Sequence, residues 1–412
     1  MFIMVTGVNA SGDFEQVLDL YENKEFYRFE RSTSSFKGEE WQNLYLSALL
    51  YGLKGKFKHS NTAIDSLLTS GRTLLADSLE KTLLEIKITN SVNLCDYKTA
   101  AKTSELLLKD FSGIMEKKEK DDVVNSLKIW DAASLLPVET ATIEKDVKIP
   151  AERDLAGLLN VPVKINGITE DFVFDTGANF SVITKTYARK MKVKMLKGNI
   201  EVGAITGKKV ISELAYAELL MIGGIEFHNV LFLVLPDDAL SFAGGMYVIN
   251  GIIGLPVIKA MKELHIRDNE IFVPSVPVAK DLNNLLIDGF ISVIEVVIGN
   301  DSLAFTFDTG AKTTHMNRSY YLAHKEEIEK KYEPEEIELG GAGGTVKIKG
   351  FRIDEINFSV GSSGAQIKDI RLLAENIKDK EDLYYGNLGQ DYMSQFSEMI
   401  LNFESMYIDF RK

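Results

Sequence analysis

The sequence predicts an all-α array of helical hairpins followed by an all-β region folded as two similar lobes. Three observations predict it. The stretch Phe-Val-Phe-Asp-Thr-Gly-Ala at Phe172–Ala178 returns as Phe-Thr-Phe-Asp-Thr-Gly-Ala at Phe305–Ala311, 133 positions later. Further landmarks recur around both copies in the same order. Residues 13–140 differ from everything after them: proline is absent until Pro137, and apolar residues fall at helical spacing, as in Leu46, Leu49, Leu50, Leu53 and Phe57.

In chain order, the first segment is residues 1–12. Met1 to Ala10 is largely apolar, ends in small residues and precedes the polar Ser11-Gly12-Asp13. Two readings stand side by side: the remnant of a secretory signal whose basic start is missing, or an ordinary frayed terminus. The first implies export to a periplasmic or surface location, the second a cytoplasmic protein.

Residues 13–140 form the helical domain. An aromatic follows a short polar turn at Phe57 and Tyr97, with small residues on the next helix (Ala63, and Ala100 with Ala101), and Phe26 marks an earlier, weaker copy. Stacked helical hairpins need that arrangement in order to close on each other. The pattern resembles a degenerate tetratricopeptide-like array, although the intervals of 31 and 40 residues are irregular; a helical bundle without true repeats is the alternative. The run Glu116–Asp122 reads as a solvated helix face, and a last helix includes Val123, Leu127 and Trp130. Asp146–Pro150 leads into the β region. Lobe one spans residues 141–275 and lobe two 276–412, with Ser275–Lys280 as the connection.

The matched landmarks suggest one unit built twice. Val161–Gly167 parallels Ile294–Asn300, each a strand ending in a hairpin turn. Ile200–Gly207 parallels Ile337–Gly344, each a strand running into a glycine-rich tip. Asn250–Gly254 parallels Tyr385–Gly389, at intervals of 79 and 81 residues from the respective Asp to the last Gly. A single Asp-Thr-Gly is an ordinary turn signal. Two of them at the ends of apolar strands, with these landmarks, point to paired carboxylates held for chemistry.

Across residues 145–412 these features resemble the retropepsin-like aspartic proteases, in the bacterial two-lobed form that carries both halves on one chain. The resemblance implies that Asp175 and Asp308 are the catalytic pair, activating a water against a peptide carbonyl. It implies that Thr176, Gly177 and Ala178, with Thr309, Gly310 and Ala311, build the supporting loops. The threonines brace the loops across the lobe interface, and the glycines leave room for the pair. Ile252-Ile253-Gly254 and Asn387-Leu388-Gly389 support the two loops from behind; Asn387 departs from the expected apolar residue. Gly203, Ala204, Ile205, Thr206 and Gly207, and Gly340, Gly341, Ala342, Gly343 and Gly344, are candidate flap tips over an extended peptide. Ordinary tight hairpins are the alternative for these.

Composition bounds the rest. An apolar fraction of 45% and a charged fraction of 26% fit a globular protein, and a net charge of −13 argues against a nucleic-acid surface. Cys95 is the only cysteine, which excludes an intramolecular disulfide. No stretch has the apolar length of a bilayer span. None of the five histidines forms His-Glu-x-x-His, and no nucleophile elbow or phosphate loop is present. His315, close behind the second turn, lines the cleft or, more simply, packs or faces solvent.

The expected activity is therefore that of an aspartic endopeptidase. It needs no metal or cofactor, acts on peptide or unfolded protein, and is complete in a monomer. The helical domain is expected to dock a protein partner, present substrate or cover the cleft. The rivals are a catalytically weak peptide-binding protein of the same fold, and an enzyme whose main target is its own chain.

Overall fold

A computed structural model describes residues 10–203, 209–341, 344–377 and 383–412. Among the described residues seven α-helices come first: α1 (Ala10–Glu22), α2 (Phe26–Ser35), α3 (Glu40–Leu53), α4 (Phe57–Ser70), α5 (Asp77–Asn93), α6 (Tyr97–Phe111) and α7 (Lys117–Ala133). After residue 133 the chain is β-rich and folds into two lobes. No helix among the described residues is long and apolar enough to cross a membrane.

Three helical hairpins share one turn. Lys24, Gly55 and Cys95 take left-handed φ values of 60°, 67° and 55°. In each case the next amide bonds back five residues, Glu25 to Leu20, Lys56 to Tyr51 and Asp96 to Ser91, all at 2.8 Å. That sharp reversal makes Phe26, Phe57 and Tyr97 the first residues of α2, α4 and α6. All three rings are buried. The Asp96 side chain caps α6 by accepting the Thr99 amide at 3.0 Å.

The lobes share a core motif. In lobe one, strand Ile168–Phe174 runs parallel to Gly251–Ile253, which is antiparallel to Ser181–Thr184. That strand in turn runs parallel to Ile225–Leu235. In lobe two the same relations join Asp301–Phe307, Gly386–Leu388, His315–Met316 and Ser363–Leu373. Both upstream hairpins predicted from sequence are present, turning at Asn166-Gly167 (φ 51° and 83°) and at Gly299 (φ 62°).

A five-stranded sheet joins the lobes. Glu263–Ile266 pairs with Glu398–Asn402 at its centre, Leu264 facing Leu401. Val147–Pro150 enters this sheet next to Glu270–Val273. Glu263 is almost fully buried there and accepts from Asn402 Nδ2 at 2.6 Å, the Val278 amide at 2.6 Å and His265 at 2.7 Å. A buried carboxylate needs such partners, and these tie the connecting segment to the sheet.

The helical domain is packed against both lobes. Trp130 of α7 stacks on Tyr97 at 6.1 Å and also meets Phe180 of lobe one at 6.0 Å and Phe290 of lobe two at 6.3 Å. Lys259 of lobe one reaches Asn93, with Nζ 2.6 Å from Oδ1, and lies over the Phe57 ring. Burial pulls its ammonium down to about 8. From lobe two, Asp288 pairs with Lys24 at 2.5 Å, and the Gly289 carbonyl accepts from Asn93 at 2.7 Å.

Trp130 is 2% exposed and bridges three bodies. Trp130→Ala is therefore expected to cost about 3–5 kcal/mol, the range for a buried aromatic truncated in place. Urea unfolding followed by far-ultraviolet circular dichroism checks this; a loss under about 1 kcal/mol would show that the helical domain is held elsewhere.

Candidate active site

Each Asp-Thr-Gly turn begins where its strand ends. Phe172 and Phe174 are buried, as are Phe305 and Phe307, so the apolar alternation pins both strands and delivers Asp175 and Asp308 at their ends. The strand behind each turn completes its anchoring. The Asp175 amide donates to the Ile253 carbonyl at 3.0 Å, and the Asp308 amide to the Leu388 carbonyl at 3.2 Å. The Ala178 carbonyl accepts from Leu255, and the Ala311 carbonyl from Gln390, both at 2.9 Å.

Glycine is required behind the turns by contact. A Cβ on Gly254 would sit 2.5 Å from the Phe180 carbonyl carbon, and one on Gly389 2.7 Å from that of Thr313. These are backbone atoms that cannot swing aside. The departure at Asn387 has a partner: Thr306 Oγ1 donates to Asn387 Oδ1 at 2.6 Å. In lobe one the facing pair is Val173 and Ile252. An apolar pair in one lobe is a hydrogen-bonded pair in the other, so the supporting strand keeps its place.

The two turns are locked together by their threonines. The Thr176 amide donates to Thr309 Oγ1 at 3.0 Å, and the Thr309 amide to Thr176 Oγ1 at 3.0 Å. Each hydroxyl then donates across the interface, Thr176 to the Phe307 carbonyl at 3.1 Å and Thr309 to the Phe174 carbonyl at 2.8 Å. Both threonines are 1% exposed. Four mutual bonds in a buried setting fix the separation of the loops, and losing one partner would strand a buried donor.

That lock brings the carboxyls together. A Cβ placed on Gly177 would lie 2.6 Å from Asp308 Cγ, and one on Gly310 2.4 Å from Asp175 Cγ. Each carboxyl thus occupies the space left by the opposite glycine. Within its own turn each accepts a backbone amide, Gly177 to Asp175 at 2.8 Å and Gly310 to Asp308 at 2.7 Å. Burial pushes both above the ordinary carboxylate range, and the charge of Asp308 raises Asp175 further. Two carboxyls in close contact cannot both ionise cheaply, which favours sharing one proton.

The remaining predicted residues are placed as follows. Gly203 ends strand Lys194–Gly203, which pairs with Lys209–Ile222. Gly340 and Gly341 end strand Glu335–Gly341, and Gly344 begins the strand that pairs with it. The tip residues Ala204, Ile205, Thr206, Gly207, Ala342 and Gly343 lie outside the described residues. His315 sits half-buried in its sheet between Asn387 and Arg371, and burial, with the Arg371 charge, holds its imidazole down to about 4. Two contributors escaped the sequence reading: Thr306, whose polarity matches that of Asn387, and Gln390, whose Nε2 donates to the Thr309 carbonyl at 2.7 Å.

Residues 161–257 match a family model described as aspartyl protease. That span carries the first Asp-Thr-Gly turn and its supporting strand, and supports an aspartic protease-like family. Among solved structures the chain is similar to conglutin gamma, a basic 7S globulin from lupine seeds, at 10% identity and a TM-score of 0.40, covering 65% of this chain and 95% of that one. No curated protein matches the chain.

The raised carboxyls make a stability prediction. A group whose folded pKa lies above its unfolded value stabilises the fold fully at low pH, and that contribution is lost as pH rises through the folded pKa. Asp175→Asn removes the carboxyl that folding prefers protonated. The variant is expected to melt above the wild type at pH 7, with the gap closing towards pH 3.5. Calorimetry at both pH values checks this, and a gap independent of pH would contradict a shared proton.

Proposed function

We propose that the chain is an aspartic endopeptidase of the retropepsin-like kind, with two duplicated lobes at residues 141–275 and 276–412 and a tetratricopeptide-like domain at 13–140. The observation that carries this reading is the reciprocal threonine lock, which sets Asp175 and Asp308 against each other across the lobe interface. The first-lobe match to aspartyl protease agrees with it.

The ionised member of the pair takes a proton from a water as its oxygen attacks the peptide carbonyl carbon. The protonated member donates to the carbonyl oxygen, giving a neutral tetrahedral diol. Collapse breaks the carbon–nitrogen bond: the carboxyl that took up the water's proton gives a proton to the leaving nitrogen, and the other recovers its proton from the diol. The pair ends as it began, and no bond to the enzyme forms. Gly177 and Gly310 keep the site open, while Thr176 and Thr309 hold the separation on which the shared proton depends. Ala178 and Ala311 anchor the loops through their carbonyls.

Substrate is a peptide or unfolded segment lying extended between the pair and the flap hairpins ending at Gly203–Gly207 and Gly340–Gly344. Both carboxyls belong to one chain, so a monomer suffices. The helical domain, already committed to both lobes, offers its remaining surface to a protein partner.

Cleavage of a denatured protein mixture between pH 3.5 and 7, with cut sites read by mass spectrometry, tests the proposal. Asp175→Asn and Asp308→Asn are each expected to lower the rate by about a thousandfold or more. Equal cutting by all three proteins would remove the mechanism. A wild type that binds peptides without cutting them would favour a peptide-binding protein.

A further inference from the structure

The first flap hairpin is joined to the helical domain through one side chain. Asn125 of α7 donates from Nδ2 to the Glu201 carbonyl at 2.7 Å and accepts the Glu201 amide at Oδ1 at 3.0 Å. Its carboxamide thus pairs with one strand residue as a neighbouring peptide would. Strand Lys194–Gly203 lies at the end of its sheet, so Asn125 satisfies main-chain groups that an edge strand leaves open. Glu201 stands two residues before Gly203, where the predicted tip begins.

Apolar contact backs the pair. Val123 and Leu127, on either side of Asn125 along α7, pack into the cluster that holds buried Ile200 and Leu214, together with Val202 and Val210. The helix also carries Trp130, wedged against Phe180 and Phe290 of the two lobes. A rigid path therefore runs from the lobe bodies through α7 to the base of this hairpin.

The second hairpin is built differently. Strand Glu335–Gly341 is also at the end of its sheet. The ion pairs of Glu335 and Glu336 run to Arg352 and Lys347 on the opposite strand of the same hairpin, as that of Lys194 runs to Glu218 in the first. Its register with that strand is continuous from Glu335 to Gly341, whereas the first hairpin shifts register between Leu196 and Asn199.

We propose that Asn125 is a positioning residue for the first flap: α7 and the paired strands Lys194–Gly203 and Lys209–Ile222 form one body, so the base of the first hairpin moves with the helical domain and the base of the second does not. This rests on the endopeptidase reading for its consequence in substrate binding, but not for the brace itself. The helical domain then sets the height of one wall of the cleft, and a partner that shifts α7 changes peptide affinity without touching the carboxyl pair.

Hydrogen exchange by mass spectrometry on the full chain tests it with Asn125→Ala, Asn125→Asp and the exposed α7 control Lys128→Ala. Asp matches Asn in size but cannot donate to the Glu201 carbonyl. Both Asn125 variants are expected to speed exchange across residues 194–203 about tenfold while leaving 335–341 unchanged. Lys128→Ala is expected to change neither. In cleavage assays the Asn125 variants are expected to raise KM severalfold with kcat nearly constant. Unchanged exchange at 194–203, or an equal rise in both hairpins, would overturn the brace. A wild type without peptidase activity would count against the endopeptidase reading alone, because the exchange pattern still decides the brace.

Discussion

Everything at the centre of this protein depends on four hydrogen bonds between Thr176 and Thr309 and the strands they face. They are reciprocal and buried, and they cross the interface between the lobes. Because each threonine is both donor and acceptor to the other side, the loops cannot separate without leaving two amides and two carbonyls unpaired in a dry setting. The spacing of Asp175 and Asp308 is therefore set by the fold rather than by the carboxyls, which repel each other once both are ionised. The interlobe sheet, with Leu264 facing Leu401, holds the same two lobes at a second level.

The helical domain extends this logic outward. It is not tethered by a loose linker but wedged at several points, through Trp130, Lys259 and the Asp288–Gly289 turn. Burying an ammonium such as Lys259 is unfavourable unless its bonds are well made, and here the contacts are to Asn93 and the Phe57 ring. Such a surface is committed to the lobes and is unavailable to a partner.

Much of this was legible in the sequence where the cause is local. An Asp-Thr-Gly turn needs its Gly because the opposite carboxyl fills the space a side chain would take, and that requirement is written at Gly177 and Gly310. The aromatic openings of α2, α4 and α6 were legible for the same reason: one left-handed residue and one buried ring define each turn. Asn387 looked like a departure because its explanation lies on a neighbouring strand, in Thr306. The substitution of a hydrogen-bonded pair for Val173 and Ile252 becomes visible once the register is known. Docking of the helices was not legible at all. Asn93, Asn125, Trp130 and Lys259 have no shared period, and each is an unremarkable residue until its partner across the interface is seen.

The central claim is that Asp175 and Asp308 behave as one proton-sharing unit. A carboxyl-carbon magnetic resonance titration of protein labelled at aspartate tests it most directly, with the two single Asn variants used to assign the signals. The account predicts that the pair titrates in two separated steps, the upper one above the usual carboxylate range, and that each resonance senses both steps. Two independent titrations near the ordinary aspartate value of about 3.9 would contradict it.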